Sequence, residues 1–186
     1  ISKKYKTTTR NNYLKYIIAI GASTGGPEAL KKVLTAIPGD IPAAVLIVQH
    51  MPPKFTRSLA ERLNLYSELT VKEASDGDVV TPGTAYIAPG DFHMLVSGNQ
   101  DSGLKIVLTK DPPELGLRPS VNAMMNSLAR TGFPGVIGVI LTGMGTDGAI
   151  GIRNLKACNN GFIISQDEKS CVVYGMPKAA VNTGVV

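Results

Sequence analysis

The stretch that most constrains the fold is residues 17–37, where an apolar run, a glycine turn and a helical pattern follow one another. Residues 17–20 are apolar and mostly β-branched, which predicts a buried strand. Glycines interrupt this run, and Pro27 stands where a helix would begin. The stretch therefore predicts a strand, a sharp turn and a helix, with Ser23 held at the carboxyl end of the strand.

A serine at such a turn is compatible with two kinds of chemistry. Backbone N–H groups at the start of the following helix would lie close to Ser23. They could stabilise the oxyanion that forms when a serine nucleophile attacks a carbonyl group. They could equally hold a phosphate group. The choice between a hydrolase and a phosphate-binding protein therefore depends on the rest of the chain.

The composition is that of a globular protein, and it argues against several other classes. The 186 residues, of which 44% are hydrophobic, are enough for one domain with a sizeable core. No apolar run approaches the roughly 20 residues that span a bilayer, and the polar, basic N-terminus is unlike a signal peptide. Cys158 and Cys171 form neither a disulfide framework nor a metal-ligand pattern. These features predict a cytoplasmic protein without membrane insertion.

The positive charge is modest and is concentrated near the start of the chain. The net charge is +5, and only 5% of the residues are aromatic. Basic side chains are not interleaved with aromatic ones, so we expect no binding to nucleic acid. The chain begins with Ile1 rather than Met. We therefore expect residues 1–14 to be the remnant of a linker and residues 15–186 to form one domain.

The remaining apolar runs predict the fold class. Residues 43–49 and 136–141 are continuous apolar runs, which are typical of strands buried on both faces of a parallel sheet. Short strand-like runs between residues 79 and 109 are separated by turn dipeptides and predict an antiparallel hairpin at one edge of the sheet. Ser120 is predicted to cap a later helix. The alternation of strands and helices predicts an α/β fold with a doubly wound, mostly parallel sheet and helices on both faces.

Three polar residues follow predicted strands of this sheet. They are Ser23, His50 and Asp147, and ligands of such sheets bind beyond the carboxyl ends of the strands. Serine, histidine and aspartate together can act as nucleophile, base and orienting acid. An imidazole can take the proton of Ser23 and later return it to a leaving group. Asp147, near the N-terminus of a helix, would stay ionised and orient the imidazole.

Other interpretations remain open from the residues alone. Each of the three has a structural explanation, as a turn residue, a surface histidine or a helix cap. Asp91 and His93 form a competing pair, although they fall in the predicted hairpin. Residues 143–148 fit Gly-x-Gly-x-x-Gly after a strand, so a dinucleotide-binding oxidoreductase is an alternative. Against it, Asp147 would bring a carboxylate to the place where a pyrophosphate binds.

Five blocks of the sequence form an ordered pattern: residues 18–26, 49–53, 86–91, 141–148 and 171–177. Several blocks in the right order are much more specific than any single motif. Taken in order, they resemble the catalytic domain of the CheB family, the chemotaxis protein-glutamate methylesterases. The resemblance extends from about Tyr16 to the end of the chain.

This resemblance implies an activity and its residues. A member of the family is a serine hydrolase that removes methyl esters from glutamates on the cytoplasmic helices of chemoreceptors, releases methanol and also deamidates certain glutamines. It uses neither an organic cofactor nor a metal. Ser23, His50 and Asp147 would be the catalytic residues, and the backbone N–H groups of Thr24 and Met144 would bind the oxyanion. The full-length protein would carry an N-terminal receiver domain. A receptor-binding domain without catalytic activity remains an alternative.

Two residues depart from the pattern of the family. Lys54 stands where a glycine is expected after the two prolines, and Thr146 replaces an asparagine that is common beside the catalytic aspartate. Both are expected to lie near the site. We expect them to affect substrate preference rather than the chemistry, with Lys54 favouring an acidic receptor helix.

Overall fold

A six-stranded parallel sheet is the centre of the computed structural model, which describes residues 13–186. Most of the predicted linker, residues 1–12, therefore lies outside the described residues. The strands are β1 (Tyr16–Ala22), β2 (Ala43–Gln49), β3 (Thr70–Glu73), β4 (Thr84–Ile87), β5 (His93–Asn99), β6 (Gly103–Thr109), β7 (Val136–Ile140) and β8 (Phe162–Ser165). The helices are α1 (Gly26–Thr35), α2 (Phe55–Tyr66), α3 (Val121–Arg130), α4 (Ala149–Asn159) and α5 (Met176–Val181).

The sheet is buried on both faces, as the continuous apolar runs predict. Every residue of β2 is buried, so its side chains contribute to both cores. Helices α1 and α2 cover one face, where Leu30 and Leu63 join Ile47 in one core. Helices α3, α4 and α5 cover the other face, where Met124 joins the second core. The doubly wound α/β prediction is thereby confirmed.

The middle of the chain differs in part from the prediction. An antiparallel hairpin is present, but β5 and β6 form a separate two-stranded sheet rather than an extension of the central one. Met94 on one face of this hairpin is buried in the core with α3, whereas Ser97 is exposed. Strand β4, predicted to belong to the antiparallel hairpin region, instead pairs in parallel with β2 and β3. All four residues of β4 are buried, which suits a strand covered on both faces.

One part of the sheet is not covered by a helix. On the face that α1 and α2 cover, an apolar groove of about 520 Å³ lies beside α1 over β7 and β8. Ile137, Val139 and Ile164 line it, and Phe162 nearby on β8 is 66% exposed.

Within residues 13–186, no helix combines the length and apolar character that crossing a membrane requires.

The strand order brings the predicted site residues to one edge. The order is β3-β4-β2-β1-β7-β8, so β1 lies between β2 and β7. Ala22 pairs with Gln49, and Gly21 pairs with Ile140. Because these pairs end three adjacent parallel strands, the residues that follow them emerge side by side. This edge carries the candidate site.

Candidate active site

The turn after β1 holds Ser23 by its backbone and leaves its hydroxyl free. The Ser23 N–H donates to the Thr142 carbonyl at 3.0 Å, and the Ser23 carbonyl accepts from Gly26 N at 2.8 Å. Gly25 has φ 82°, and a Cβ there would collide with Val172, so the turn requires a glycine. Within the described part of the chain, the half-buried Ser23 hydroxyl makes no hydrogen bond. It is therefore available to a substrate.

His50 follows β2 and contacts Asp147. Its backbone N–H donates to the Ala22 carbonyl at 3.0 Å, beside the nucleophile turn. Its Nε2 lies 2.8 Å from Asp147 Oδ2, and its side chain is only 9% exposed. Because a carboxylate only accepts, Nε2 carries the hydrogen and Nδ1 keeps a lone pair. Nδ1 makes no hydrogen bond among residues 13–186 and is the nitrogen that can take a proton.

Asp147 lies against the N-terminus of a helix other than the one that follows it. Its carboxylate accepts from the N–H groups of Val121 at 2.7 Å and Asn122 at 2.9 Å, and from the Ser120 hydroxyl at 3.0 Å. These residues begin α3, whereas Asp147 precedes α4 in the chain. The predicted helix N-terminus is thus present, but it belongs to α3. Ser120 caps α3 as predicted, since its Oγ accepts from Ala123 N.

The surroundings of Asp147 keep it ionised. Burial by itself would raise the pKa of this carboxyl, which is only 2% exposed. The hydrogen bonds from His50 and from the backbone N–H groups of Asn122 and Val121 outweigh burial, and the pKa lies below its usual value. The carboxylate can therefore hold the imidazole in one tautomer and balance the charge of an imidazolium.

Asn122 is a residue of the site that sequence reasoning missed. Its Oδ1 accepts from Gly148 N at 3.0 Å and Gly151 N at 2.9 Å, so it fastens the loop that carries Asp147. The signal available in the sequence was a polar residue between the apolar residues Val121 and Ala123 in the first turn of the predicted helix. The same bonds occupy N–H groups at the start of α4, where a dinucleotide phosphate would bind. They disfavour the dinucleotide alternative.

One candidate oxyanion donor follows Ser23 in its turn, and the other follows Gly143 in a loop that abuts this turn. In residues 13–186 neither the Thr24 N–H nor the Met144 N–H has a hydrogen-bond partner. The loop before Met144 is fixed by Gly143, whose N–H donates to Val173 O at 3.0 Å and whose carbonyl accepts from Met176 N at 2.8 Å. A Cβ at Gly143 would fall 2.7 Å from Ser23 Cβ, so this loop abuts the nucleophile turn.

Two further polar residues hold these turns, and sequence reasoning missed both. Thr142 donates its hydroxyl to the Thr24 carbonyl at 2.9 Å and accepts from the N–H groups of Val172 and Val173. Gln49 donates to the carbonyl oxygens of Ser23 and His50. Thr142 follows the apolar run that forms β7, and Gln49 ends the apolar strand β2. A polar residue at such a position was the signal that could have found them.

The competing pair from the hairpin region is not formed. Asp91 pairs with Arg118 at 2.6 Å, and the hydrogen bond from Arg118 lowers the pKa of Asp91. His93 is buried, with Nδ1 3.3 Å from Ser120 N and Nε2 3.2 Å from Pro112 O. Each side chain therefore has other partners, and neither is aimed at the other.

A cleft of about 310 Å³ opens beside His50. Met51 and Pro52 line it together with residues 116–119. Lys54 has φ 74°, a left-handed conformation that favours glycine, which accounts for the glycine expected there. Its side chain and that of Thr146 are exposed. The cleft thus opens beside His50, whereas Ser23, Lys54 and Thr146 are not among the residues that line it.

Comparison with known proteins identifies the family. The family model described as CheB methylesterase matches residues 18–186. The chain belongs to the CheB methylesterase family. A solved structure, the catalytic domain of the CheB methylesterase of Thermotoga maritima, is 44% identical to this chain with a TM-score of 0.88. The match covers 92% of this chain and 89% of the Thermotoga chain, so the CheB catalytic fold accounts for nearly all of the described structure.

Curated members of the CheB family are similar over most of this chain. A protein-glutamate methylesterase/protein-glutamine glutaminase 2 of Methanosarcina mazei is 51% identical over 179 residues, which are 95% of this chain and 47% of that protein. A protein-glutamate methylesterase/protein-glutamine glutaminase of Oceanobacillus iheyensis is 53% identical over 176 residues, 94% of this chain and 49% of that protein. The chain spans about half the length of these curated relatives.

Proposed function

We propose that this chain is a serine hydrolase that removes methyl esters from glutamate side chains of chemoreceptors and releases methanol. The observation that carries the proposal is the 2.8 Å contact between His50 Nε2 and Asp147 Oδ2 at the edge where Ser23 emerges. Membership of the CheB methylesterase family supports the same reaction. The proposed nucleophile, base and orienting acid are Ser23, His50 and Asp147.

The first half of the proposed reaction forms an acyl-enzyme. Ser23 Oγ attacks the carbonyl carbon of the methyl ester while His50 Nδ1 takes the hydroxyl proton. The N–H groups of Thr24 and Met144 bind the negative oxygen of the tetrahedral intermediate. When the carbon–oxygen bond to the methoxy group breaks, the imidazolium of His50 gives its proton to the leaving oxygen, and methanol departs. Asp147 stabilises the imidazolium during both steps.

The second half returns the enzyme to its starting state. A water molecule attacks the acyl carbon, and His50 takes one of its protons. The bond from carbon to Ser23 Oγ then breaks, and the proton passes to Ser23. The product is a glutamic acid side chain, which releases its remaining proton to the solvent and becomes a carboxylate. The same steps with a glutamine substrate release ammonia instead of methanol, so we also propose the deamidation that the names of the relatives include.

The proposed partner is the cytoplasmic helical region of a chemoreceptor. Its methylated side chain would enter the cleft beside His50. Lys54 is exposed and lies two positions after Pro52, which lines the cleft, and its positive charge would favour the acidic residues of such a helix. The substrate side chain would thus be bound on the same edge of the sheet as Ser23.

The proposal is tested by methanol release from methylated chemoreceptor membranes. We expect the wild-type chain to release methanol. With Ser23→Ala the rate of release should fall by several orders of magnitude, because only water is left to attack the ester. Ser97→Ala removes an exposed hydroxyl from β5 and is the matched control, with release equal to wild type.

Two results would contradict the proposal. Equal release by wild type and Ser23→Ala would show that Ser23 is not the nucleophile. Binding to receptors without methanol release by the wild type would favour a domain that only binds receptors.

A further inference from the structure

One buried side chain connects the backbone of the proposed nucleophile to that of the proposed base. Gln49 is 2% exposed, and its Nε2 lies 3.0 Å from the carbonyl oxygen of Ser23 and 3.0 Å from that of His50. The carboxamide therefore spans the gap between the turn after β1 and the end of β2. It makes no hydrogen bond to the Ser23 hydroxyl or to the His50 imidazole.

The bond to Ser23 has a consequence for the next residue. The Ser23 carbonyl is held by two donors, Gln49 Nε2 at 3.0 Å and Gly26 N at 2.8 Å. A trans peptide is planar, so its C=O and N–H groups point in opposite directions. Fixing the Ser23 carbonyl thus fixes the direction of the Thr24 N–H, which points away from Gln49. This N–H is one of the two candidate oxyanion donors.

Stability alone does not account for a glutamine at this position. Gln49 Oε1 is buried and has no hydrogen-bond partner within residues 13–186. It abuts Gly26, where an added Cβ would collide with it. A buried oxygen without a partner costs free energy, and an apolar side chain of the same length would avoid that cost. An apolar side chain would, however, lack the two hydrogen bonds that the carboxamide donates to the carbonyl oxygens of Ser23 and His50.

We propose that Gln49 is a positioning residue that aims the Thr24 N–H at the oxyanion and fixes the spacing between Ser23 and His50. The inference rests on the proposed function, since it assumes that Ser23 is the nucleophile. Gln49 acts through the backbone and does not touch the reacting atoms. Its effect should therefore fall on the transition state rather than on the binding of substrate.

The test compares Gln49→Met, Gln49→Glu and the wild-type chain with a chromogenic acetate ester. Methionine keeps the length but removes both donors. We expect kcat to fall about 10- to 100-fold with KM changed by less than about twofold, because one oxyanion donor is misaimed rather than removed.

The affinity for phenylboronic acid, which forms a tetrahedral adduct with serine, should fall by the same factor. Burial should keep the introduced carboxyl group of Gln49→Glu protonated, with one O–H donor, so the kcat of this variant should be intermediate.

Controls separate this role from a structural one. Gln100→Met changes an exposed glutamine and should leave kcat at the wild-type value. Thermal unfolding of each variant gives the folded fraction at the assay temperature. Wild-type kcat in Gln49→Met would overturn the inference. So would a loss of activity that matches a loss of folded protein, or a change in KM alone.

The outcome also distinguishes this inference from the proposed function. If the wild type hydrolyses the chromogenic ester but releases no methanol from receptors, the proposed substrate is wrong and the Gln49 comparison still decides the inference. If the wild type hydrolyses neither the chromogenic ester nor the receptor methyl esters and binds no boronic acid, Ser23 is not a nucleophile. The inference about Gln49 is then wrong as well.

Discussion

At the scale of single residues, Asp147 has the most completely satisfied side chain of the site. Its two oxygens accept four hydrogen bonds, from His50, Ser120, Val121 and Asn122. A buried carboxylate is tolerated only when it is paired and hydrogen-bonded in this way. The same contacts that orient Asp147 toward His50 therefore also make its ionised form contribute to the stability of the fold.

This coupling predicts how the stability of the fold depends on pH. The pKa of Asp147 is lowered in the folded chain, against about 3.9 in an unfolded one. Its ionisation therefore stabilises the fold above about pH 4, and this contribution is lost as the pH falls through the folded pKa. Asp147→Asn has no such contribution. The difference in free energy of unfolding between wild type and variant should therefore shrink as the pH falls below about 4.

Urea unfolding at a series of pH values measures this difference. Asp111→Asn, which changes an exposed carboxylate, should show no comparable change with pH. A difference for Asp147→Asn that stays the same down to pH 2 would mean that the folded chain does not lower the pKa of Asp147.

At the scale of elements, α3 serves the core and the site at once. Met124, Met125 and Leu128 along the helix are fully buried. The first turn meets Asp147, and Asn122 in that turn also fastens the loop that carries Asp147. The position of the acid is therefore set by how α3 packs on the sheet. A change at the start of this helix should affect both stability and catalysis.

Ser120→Ala tests this double role. The change removes the cap of α3 and one donor to Asp147, so we expect the free energy of unfolding to fall by about 0.5–2 kcal/mol. We also expect kcat to fall while the chain remains folded, because Asp147 is held less firmly. Ser97→Ala, which removes an exposed hydroxyl from β5, should change neither quantity. Loss of stability with unchanged kcat would restrict Ser120 to a capping role.

The sequence predicted the strands and helices themselves better than it predicted which of them pair or pack together. Strand β1, helix α1 and the Ser120 cap follow from local spacing and residue type, and all are present. The pairing of β4 with β2 and β3 was missed because a short apolar run does not specify its neighbours. The helix that Asp147 meets was missed for a related reason. Its partners in α3 lie 25 to 27 positions earlier and reach it only after the sheet has formed.

The same limit applies to the candidate site. Ser23, His50 and Asp147 could be chosen because each follows a predicted strand, and their catalytic roles stay a prediction. The contact between His50 and Asp147 is present as the strand-end argument predicts. Gln49 could have been singled out as a polar residue that ends an apolar strand, but its hydrogen bonds to the carbonyl oxygens of Ser23 and His50 could not be predicted, since the sequence does not specify them.

At the scale of the whole molecule, the two faces of the sheet are unequally covered. Successive residues of β8 point to opposite faces, so Ile163 is 5% exposed in the core with α4, whereas Phe162 is 66% exposed. Two large apolar side chains that are adjacent in the sequence thus have very different surroundings. The layered architecture, rather than residue type, decides what each contributes to stability.

Alanine substitutions in β8 measure this difference. Ile163→Ala removes buried methyl groups, so we expect the free energy of unfolding to fall by about 2–5 kcal/mol. Phe162→Ala should change it by about 0.5 kcal/mol or less, because the ring is mostly in solvent. Urea unfolding of both variants checks the prediction. Equal losses would mean that the ring of Phe162 is covered in solution.

The order of the site residues along the chain has a consequence for protein synthesis. His50 and Asp147 are 97 positions apart, and β7, which leads to Asp147, fills the place beside β1. A nascent chain that ends before β7 contains Ser23 and His50 but has neither Asp147 nor the loop of Met144. On the proposed mechanism, we expect such a chain to have no activated nucleophile, so that prematurely terminated products would not hydrolyse esters.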